Sequence, residues 1–207
     1  MRKLHRPLSA LLALILAGCA ATAPEPRPGA RIEIQEAVGF TITEEARIGA
    51  AVREDYQAAL DLLENEREAQ GIELLRQVAE EAPSLSAPRI DLAIAYHRMG
   101  DLKAAETELL AARALNPEHP IVHNELGIVY RKTGRFDEAR RSYETALEIY
   151  PGFHYARRNL AILCDLYLAD PECALANYEA YMETVTADEE AAIWIADIRN
   201  RLGEAAQ

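Results

Sequence analysis

The side chains able to do chemistry in this chain are few: three cysteines, five histidines and a surplus of carboxylates. The histidines are His5, His97, His119, His123 and His154. Only His119 and His123 stand four apart, but Pro120 starts a helix between them and leaves the first outside it, so they share no face. H-E-x-x-H is absent, and no cysteine and histidine grouping has the spacing of a zinc site. There is no G-x-S-x-G elbow, no phosphate-binding glycine loop and no C-x-x-C pair. The acids fall on helix faces that read as solvated. These residues point away from catalysis, from a metal and from any cofactor or small-molecule substrate; an envelope hydrolase is the residual enzymatic reading.

The elements that carry these residues are helices in pairs. Pro120 to Pro151 reads PIVHNELGIVYRKTGRFDEARRSYETALEIYP, two helical patterns joined at Thr133-Gly134-Arg135. Leu126, Gly127 and Tyr130 recur at helical spacing in the first, and Ala139, Tyr143 and Ala146 in the second. Small residues let two helices approach closely while large ones fill the space beside them. Gly134 supplies a left-handed turn position, and Pro151 stops the second helix. Pro83, Pro117 and Pro151 recur every 34 residues. One step back from Leu126, Gly127, Tyr130, Gly134, Ala139 and Ala146 lies the matching set Leu92, Ala93, Tyr96, Gly100, Ala105 and Ala112. A second step back gives the weaker set Ala58, Ala59, Leu62, Glu66, Gly71 and Val78, with Glu66 in the turn-glycine slot. One step forward gives Leu160, Ala161, Cys164, Leu168, Cys173 and Ala180, with Asn177 where Tyr143 stood.

This period and pattern resemble the tetratricopeptide repeat, a helix-turn-helix unit. The resemblance implies an all-α, right-handed solenoid in which no unit can bury both faces alone. The repeats are expected at 44–83, 86–117, 120–151 and 154–185, followed by a capping helix at 186–203. Thr43 before Glu44 and Glu45 reads as the first helix start, and Asp101 as a cap in repeat two. In repeat four, Leu166 to Leu168 continue the first helix, and Asp170-Pro171 opens the second. Thr186-Ala187-Asp188-Glu189 reads as a capping box for the last helix, which carries Trp194, Ile195, Ile198 and Leu202.

Ahead of the repeats, Arg2, Lys3 and Arg6 precede an apolar run from Leu8 to Leu16, a secretory signal pattern too short to span a bilayer. Leu16-Ala17-Gly18-Cys19 resembles the bacterial lipobox, which implies removal of 1–18 and lipidation of Cys19. Two or three acyl chains give durable attachment, each buried methylene adding roughly 0.8 kcal/mol. Ala20 is not the aspartate of an inner-membrane retention signal, so the resemblance implies a lipid anchor in the outer membrane, on its periplasmic face. Residues 19–43 form a tether with Pro24, Pro26 and Pro28, then an extended segment whose Phe40 and Ile42 are expected to pack on the first helices.

Three kinds of site follow. Cys164 and Cys173 fall on facing helices of one repeat; in an oxidising compartment they either form a structural disulfide or fill two core slots as thiols. The first helices line the inner face of the superhelix, where Leu60, Ile94, Ile128 and Ile162 form an aliphatic ladder. That ladder either packs neighbouring helices or floors a groove for a peptide or helix of a protein partner. Flanking it are Tyr56, Asn124 and Arg158, then Asp91, Glu125 and Asn159, with Arg98 and Lys132 at the rim. The lysine-asparagine clamp of repeats that grip a terminal carboxylate is missing, so an internal or basic segment suits the groove better. Third, the chain is acidic, with a net charge of -12 that becomes about -15 once Arg2, Lys3 and Arg6 are removed, which disfavours nucleic acid. Such lipoproteins resemble assembly factors for pili or secretion channels and scaffolds for cell-wall enzymes. The stretch NLAILCDLYLADPECALANYEAYM also resembles repeat proteins accompanying TonB-type energy-transducing complexes. The expected function is a non-enzymatic scaffold; a homo-oligomer stacked through the Trp194 helix is the structural alternative.

Overall fold

The computed structural model describes residues 31–35, 39–43 and 48–203. Among these lie two strands, β1 (Arg31–Gln35) and β2 (Gly39–Thr43), followed by helices. The helices are α1 (Ala50–Glu64), α2 (Glu68–Glu81), α3 (Ala87–Arg98), α4 (Leu102–Leu115), α5 (Pro120–Lys132), α6 (Phe136–Ile149), α7 (His154–Leu166), α8 (Pro171–Thr184) and α9 (Glu189–Arg201). Each odd-numbered helix up to α7 packs on its successor; each pair then packs on the next, and α3 and α7 also touch α5. The result is an all-α solenoid of four helix pairs closed by α9.

The turns inside the pairs explain the repeat. After each first helix the chain must enter the left-handed region, and φ is +84° at Gly100 and +77° at Gly134. Glu66, which holds the glycine slot in the first pair, takes the same conformation at φ +58°. In these three turns a backbone N–H reaches back five residues: Arg67 to Leu62 O, Asp101 to Tyr96 O and Arg135 to Tyr130 O, each at 2.9 Å. These bonds satisfy carbonyls that the helix end leaves open.

The fourth turn is one residue longer. Asp170 N–H reaches back six residues, to Cys164 O at 3.0 Å, and the left-handed position falls on Ala169 at φ +51°. α7 therefore ends at Leu166, short of the Leu168 expected, and every slot in α8 lies 35 residues beyond its counterpart in α6. Ala174, not Cys173, is the fully buried partner of Ala105 and Ala139, and Tyr178, not Asn177, fills the slot of Tyr143. The aromatic that the fixed step found missing is present one residue later.

Two starts also differ from the sequence reading. Thr43 ends β2, and α1 begins at Ala50 behind an extended Gly49. The stretch expected as one extended segment folds on itself as an antiparallel hairpin, Ile32 opposite Ile42 and Ile34 opposite Phe40. A lone strand leaves its peptide groups unpaired; this one finds its partner a few residues away. The expected packing of Phe40 and Ile42 on the first helices lies outside the described side chains. At the other end, Asp188 caps α9 by accepting from Ala191 N–H at 3.0 Å, so Thr186 is not the cap.

The core is small-to-large packing along the stack. Ala105, Ala139, Ala146, Ala156, Ala161 and Ala174 are fully buried beside Tyr143, Leu126 and Leu163. At Gly127 an added Cβ would stand 2.4 Å from Tyr143 Cε1, so only glycine admits this ring against the α5 backbone. A second, separate cluster of Ala59, Ile72, Leu75, Ala79, Leu92 and Ala95 holds the first pair to the second.

Candidate partner-binding groove

The face built from α1, α3, α5 and α7 carries residues one repeat apart in matching positions. Leu60, Ile94, Ile128 and Ile162 are all half-buried, the three isoleucines packing one side against the core. Beside them a polar strip crosses from helix to helix. Tyr56 hydroxyl of α1 donates to the Asp91 carboxylate of α3. Asn124 Nδ2 donates to Glu125 Oε1 at 3.0 Å within α5, and Asn159 Nδ2 of α7 donates to Asn124 Oδ1 at 2.9 Å.

The two carboxylates are held in a poorly hydrated place. Burial raises the Asp91 carboxyl above its ordinary range, opposed by the Tyr56 hydrogen bond and the Arg98 charge. Burial raises Glu125 as well, against the Asn124 hydrogen bond and the same Arg98. Arg98 and Lys132 are exposed at the rim. Among the described residues, neither Asp91 nor Glu125 forms an ion pair within 4.0 Å.

Two residues the sequence placed in the groove are not open on it: Asn124 is buried, 4 % exposed, and Arg158 turns to α9. Its guanidinium lies 3.1 Å from Glu190 and 3.7 Å from Asp188, and 5.2 Å from the Trp194 ring centroid. It locks α9 onto the fourth pair, with Tyr181 hydroxyl donating to Asp188 Oδ2 at 2.8 Å. In place of a third rim cation, the slot after Arg98 and Lys132 holds Leu166, 69 % exposed. Tyr167 follows it, packed on Phe136 with centroids 5.0 Å apart and within 3.5 Å of Arg131 Nη1. The same step of one repeat from Lys132 would have found Leu166 in the sequence.

The remaining candidates are structural. Cys164 and Cys173 form a disulfide with S–S 2.04 Å and Cα atoms 5.8 Å apart, joining α7 to α8 across the lengthened turn. With Asp170 these sulfurs make a cluster of metal-ligand type, but the sulfurs are bonded to each other and Asp170 caps α8 through Cys173 N–H at 3.0 Å. His119 precedes α5, while His123 Nε2 donates to Pro117 O at 2.7 Å. Burial pushes the His123 imidazole below its ordinary value. A shallow depression of about 620 Å³ lies at the turn tips, lined by Glu66, Arg67, Arg98 and Met99 among others, outside the ladder. Cys19 and the proline-rich tether lie outside the described residues.

Residues 90–152 match the tetratricopeptide repeat family model. Several solved structures share the fold at low identity. One, from work on Pseudomonas aeruginosa pilF, is 23 % identical with a TM-score of 0.67 and covers 74 % of this chain and 70 % of its own. MamA of Desulfovibrio magneticus RS-1 is 16 % identical with a TM-score of 0.67, covering 76 % and 89 %. A thermophilic TPR protein of Thermus thermophilus is 24 % identical with a TM-score of 0.61, covering 71 % and 80 %. Residues 90–152 thus carry the tetratricopeptide repeat pattern, and the helix pairs on either side of them share its fold.

Proposed function

We propose that this chain is a non-enzymatic scaffold that holds a segment of a protein partner in the groove formed by α1, α3, α5 and α7. The observation that carries this reading is the ladder of Leu60, Ile94, Ile128 and Ile162. Four aliphatic side chains stay half-open in register along one face, beside a polar strip that includes the Asp91 and Glu125 carboxylates. A surface of that kind fits an elongated ligand.

The scaffold is tethered to the outer membrane, facing the periplasm, through lipid on Cys19. The signal-like start, the Leu-Ala-Gly-Cys sequence and the disulfide between Cys164 and Cys173 all suit an oxidising compartment. It serves an envelope assembly of the pilus, secretion, cell-wall or TonB-type kind.

Replacing Ile94 and Ile128 with aspartate tests the groove. Recovery of the partner from native membranes falls at least tenfold while the helical circular dichroism spectrum is kept. Undiminished recovery with helicity retained removes the groove from the account. Radiolabelled palmitate incorporation that is lost in Cys19→Ala tests the anchor, and equal labelling of both proteins refutes it.

A further inference from the structure

We propose that the groove is built for a basic segment in polyproline II conformation, with lysine or arginine side chains three residues apart reaching Asp91 and Glu125. The inference rests on the groove reading above and adds the chemistry of the occupant.

Three features converge on it. Asp91 and Glu125 occupy the same slot on consecutive first helices, flanked by Ile94 and Ile128. Each is desolvated, and each accepts a single hydrogen bond from the described residues, Tyr56 to Asp91 and Asn124 to Glu125. An ionised carboxylate offers about four acceptor sites. Its charge here is offset only at a distance, by the exposed Arg98 that influences both. A ligand cation seated between them supplies what the protein leaves out: a direct ion pair in a partly dehydrated place, where such pairs contribute more than at a surface.

Geometry selects the spacing. Packed helix axes lie roughly 8–10 Å apart, so equivalent side chains on α3 and α5 stand about that far from each other. A polyproline II segment rises about 3.1 Å per residue with three residues per turn, which returns the same face after about 9.3 Å. A β-strand fails the match, because positions three apart point to opposite faces. A helix satisfies its own peptide groups; a polyproline II segment leaves its own exposed, and the half-buried Asn159, whose Nδ2 is taken by Asn124, has its Oδ1 left to accept a peptide N–H.

The test uses the full chain and three fluorescent twelve-residue peptides sharing one Pro- and Val-containing frame. The first carries two lysines three residues apart, the second has both replaced by glutamine, and the third spaces the lysines two apart. Fluorescence anisotropy should rank the first about tenfold tighter than either other, a difference of about 1.4 kcal/mol. In Asp91→Asn/Glu125→Gln protein that preference should fall to about twofold or less, with helicity unchanged. Equal binding of the lysine and glutamine peptides, no measurable binding of any, or a lysine preference that survives in the double variant overturns the proposal; the last would assign the attraction to the acidic surface at large. If Ile94→Asp/Ile128→Asp loses the cellular partner while Asp91→Asn/Glu125→Gln keeps it, the groove stands and the basic segment falls.

Discussion

Gly127→Ala places a single methyl group where the stack has no room. The new Cβ would lie 2.4, 2.6 and 2.8 Å from Cε1, Cδ1 and Cζ of Tyr143, against an ordinary carbon contact of roughly 3.5–4.0 Å. The ring is fully buried between the α5 backbone and the rest of the core, so it cannot swing into solvent. The pair of helices must separate by something on the order of 1 Å, or the ring must leave its rotamer. Overpacking of this kind costs about 1–3 kcal/mol, and three close ring atoms put this site at the upper end. Alanine returns about 0.8–1.0 kcal/mol in helix propensity, leaving a net loss near 2 kcal/mol. The urea midpoint followed by circular dichroism should fall, and the melting temperature should drop by about 4–8 °C. Repeat two holds the internal control, because Ala93 stands where Gly127 does and Leu109 where Tyr143 does. Gly127→Ala/Tyr143→Leu recreates that pair, so the double variant should be more stable than the sum of the single losses predicts, by about 1 kcal/mol or more. A Gly127→Ala protein as stable as the parent, or a coupling energy near zero, would refute the idea that glycine is required by the ring.

Other outcomes follow from the same geometry. Cys164→Ala/Cys173→Ala should cost about 2–3 kcal/mol, the loop-closure entropy of so short a loop, and hydrogen exchange should rise in α8 and α9 before α3 to α6; uniform exchange across the stack would contradict a local clamp. Glu66→Gly should stabilise the first pair by about 0.5–1 kcal/mol, since a non-glycine residue costs roughly 1–2 kcal/mol in the left-handed region, read as a raised urea midpoint. Asp91 and Glu125 have carboxyls raised by burial, so their contribution to stability is full below the ordinary carboxylate range and is lost as pH climbs through the raised values. Asp91→Asn/Glu125→Gln should accordingly be more stable than the parent at about pH 7 and converge with it toward about pH 4; a gap that widens on acidification would reverse the sign argument.

Much of the architecture was legible because small residues, turn glycines and prolines recur at one interval, and burial by neighbours needs that interval. The lengthened fourth turn was harder to see. Counting a fixed 34 residues from Tyr143 lands on Asn177, although Asp170-Pro171 marks a helix start one residue late and thereby moves Tyr178 into the slot. The hairpin is not legible in the pattern, because the alternation of Ile32, Ile34, Phe40 and Ile42 reads as one segment although its halves pair with each other. Arg158 shares the slot of Asn124, and its recruitment by Asp188, Glu190 and Trp194 depends on the angle at which α9 docks, which no local pattern encodes. The same limit applies to the Tyr56–Asp91 and Asn124–Asn159 bonds: periodicity puts the residues on one face, and only the helix-to-helix distance makes them partners.

Site-specific photocrosslinking in the native envelope bears most directly on the scaffold. A benzophenone side chain replaces Arg98 or Lys132 at the groove rim in one set of proteins and the exposed Glu148 of α6 in another. One discrete adduct is expected from Arg98 and Lys132, and none from Glu148. Adducts of equal yield from Glu148, or none from either rim position, would contradict a partner held along the first helices.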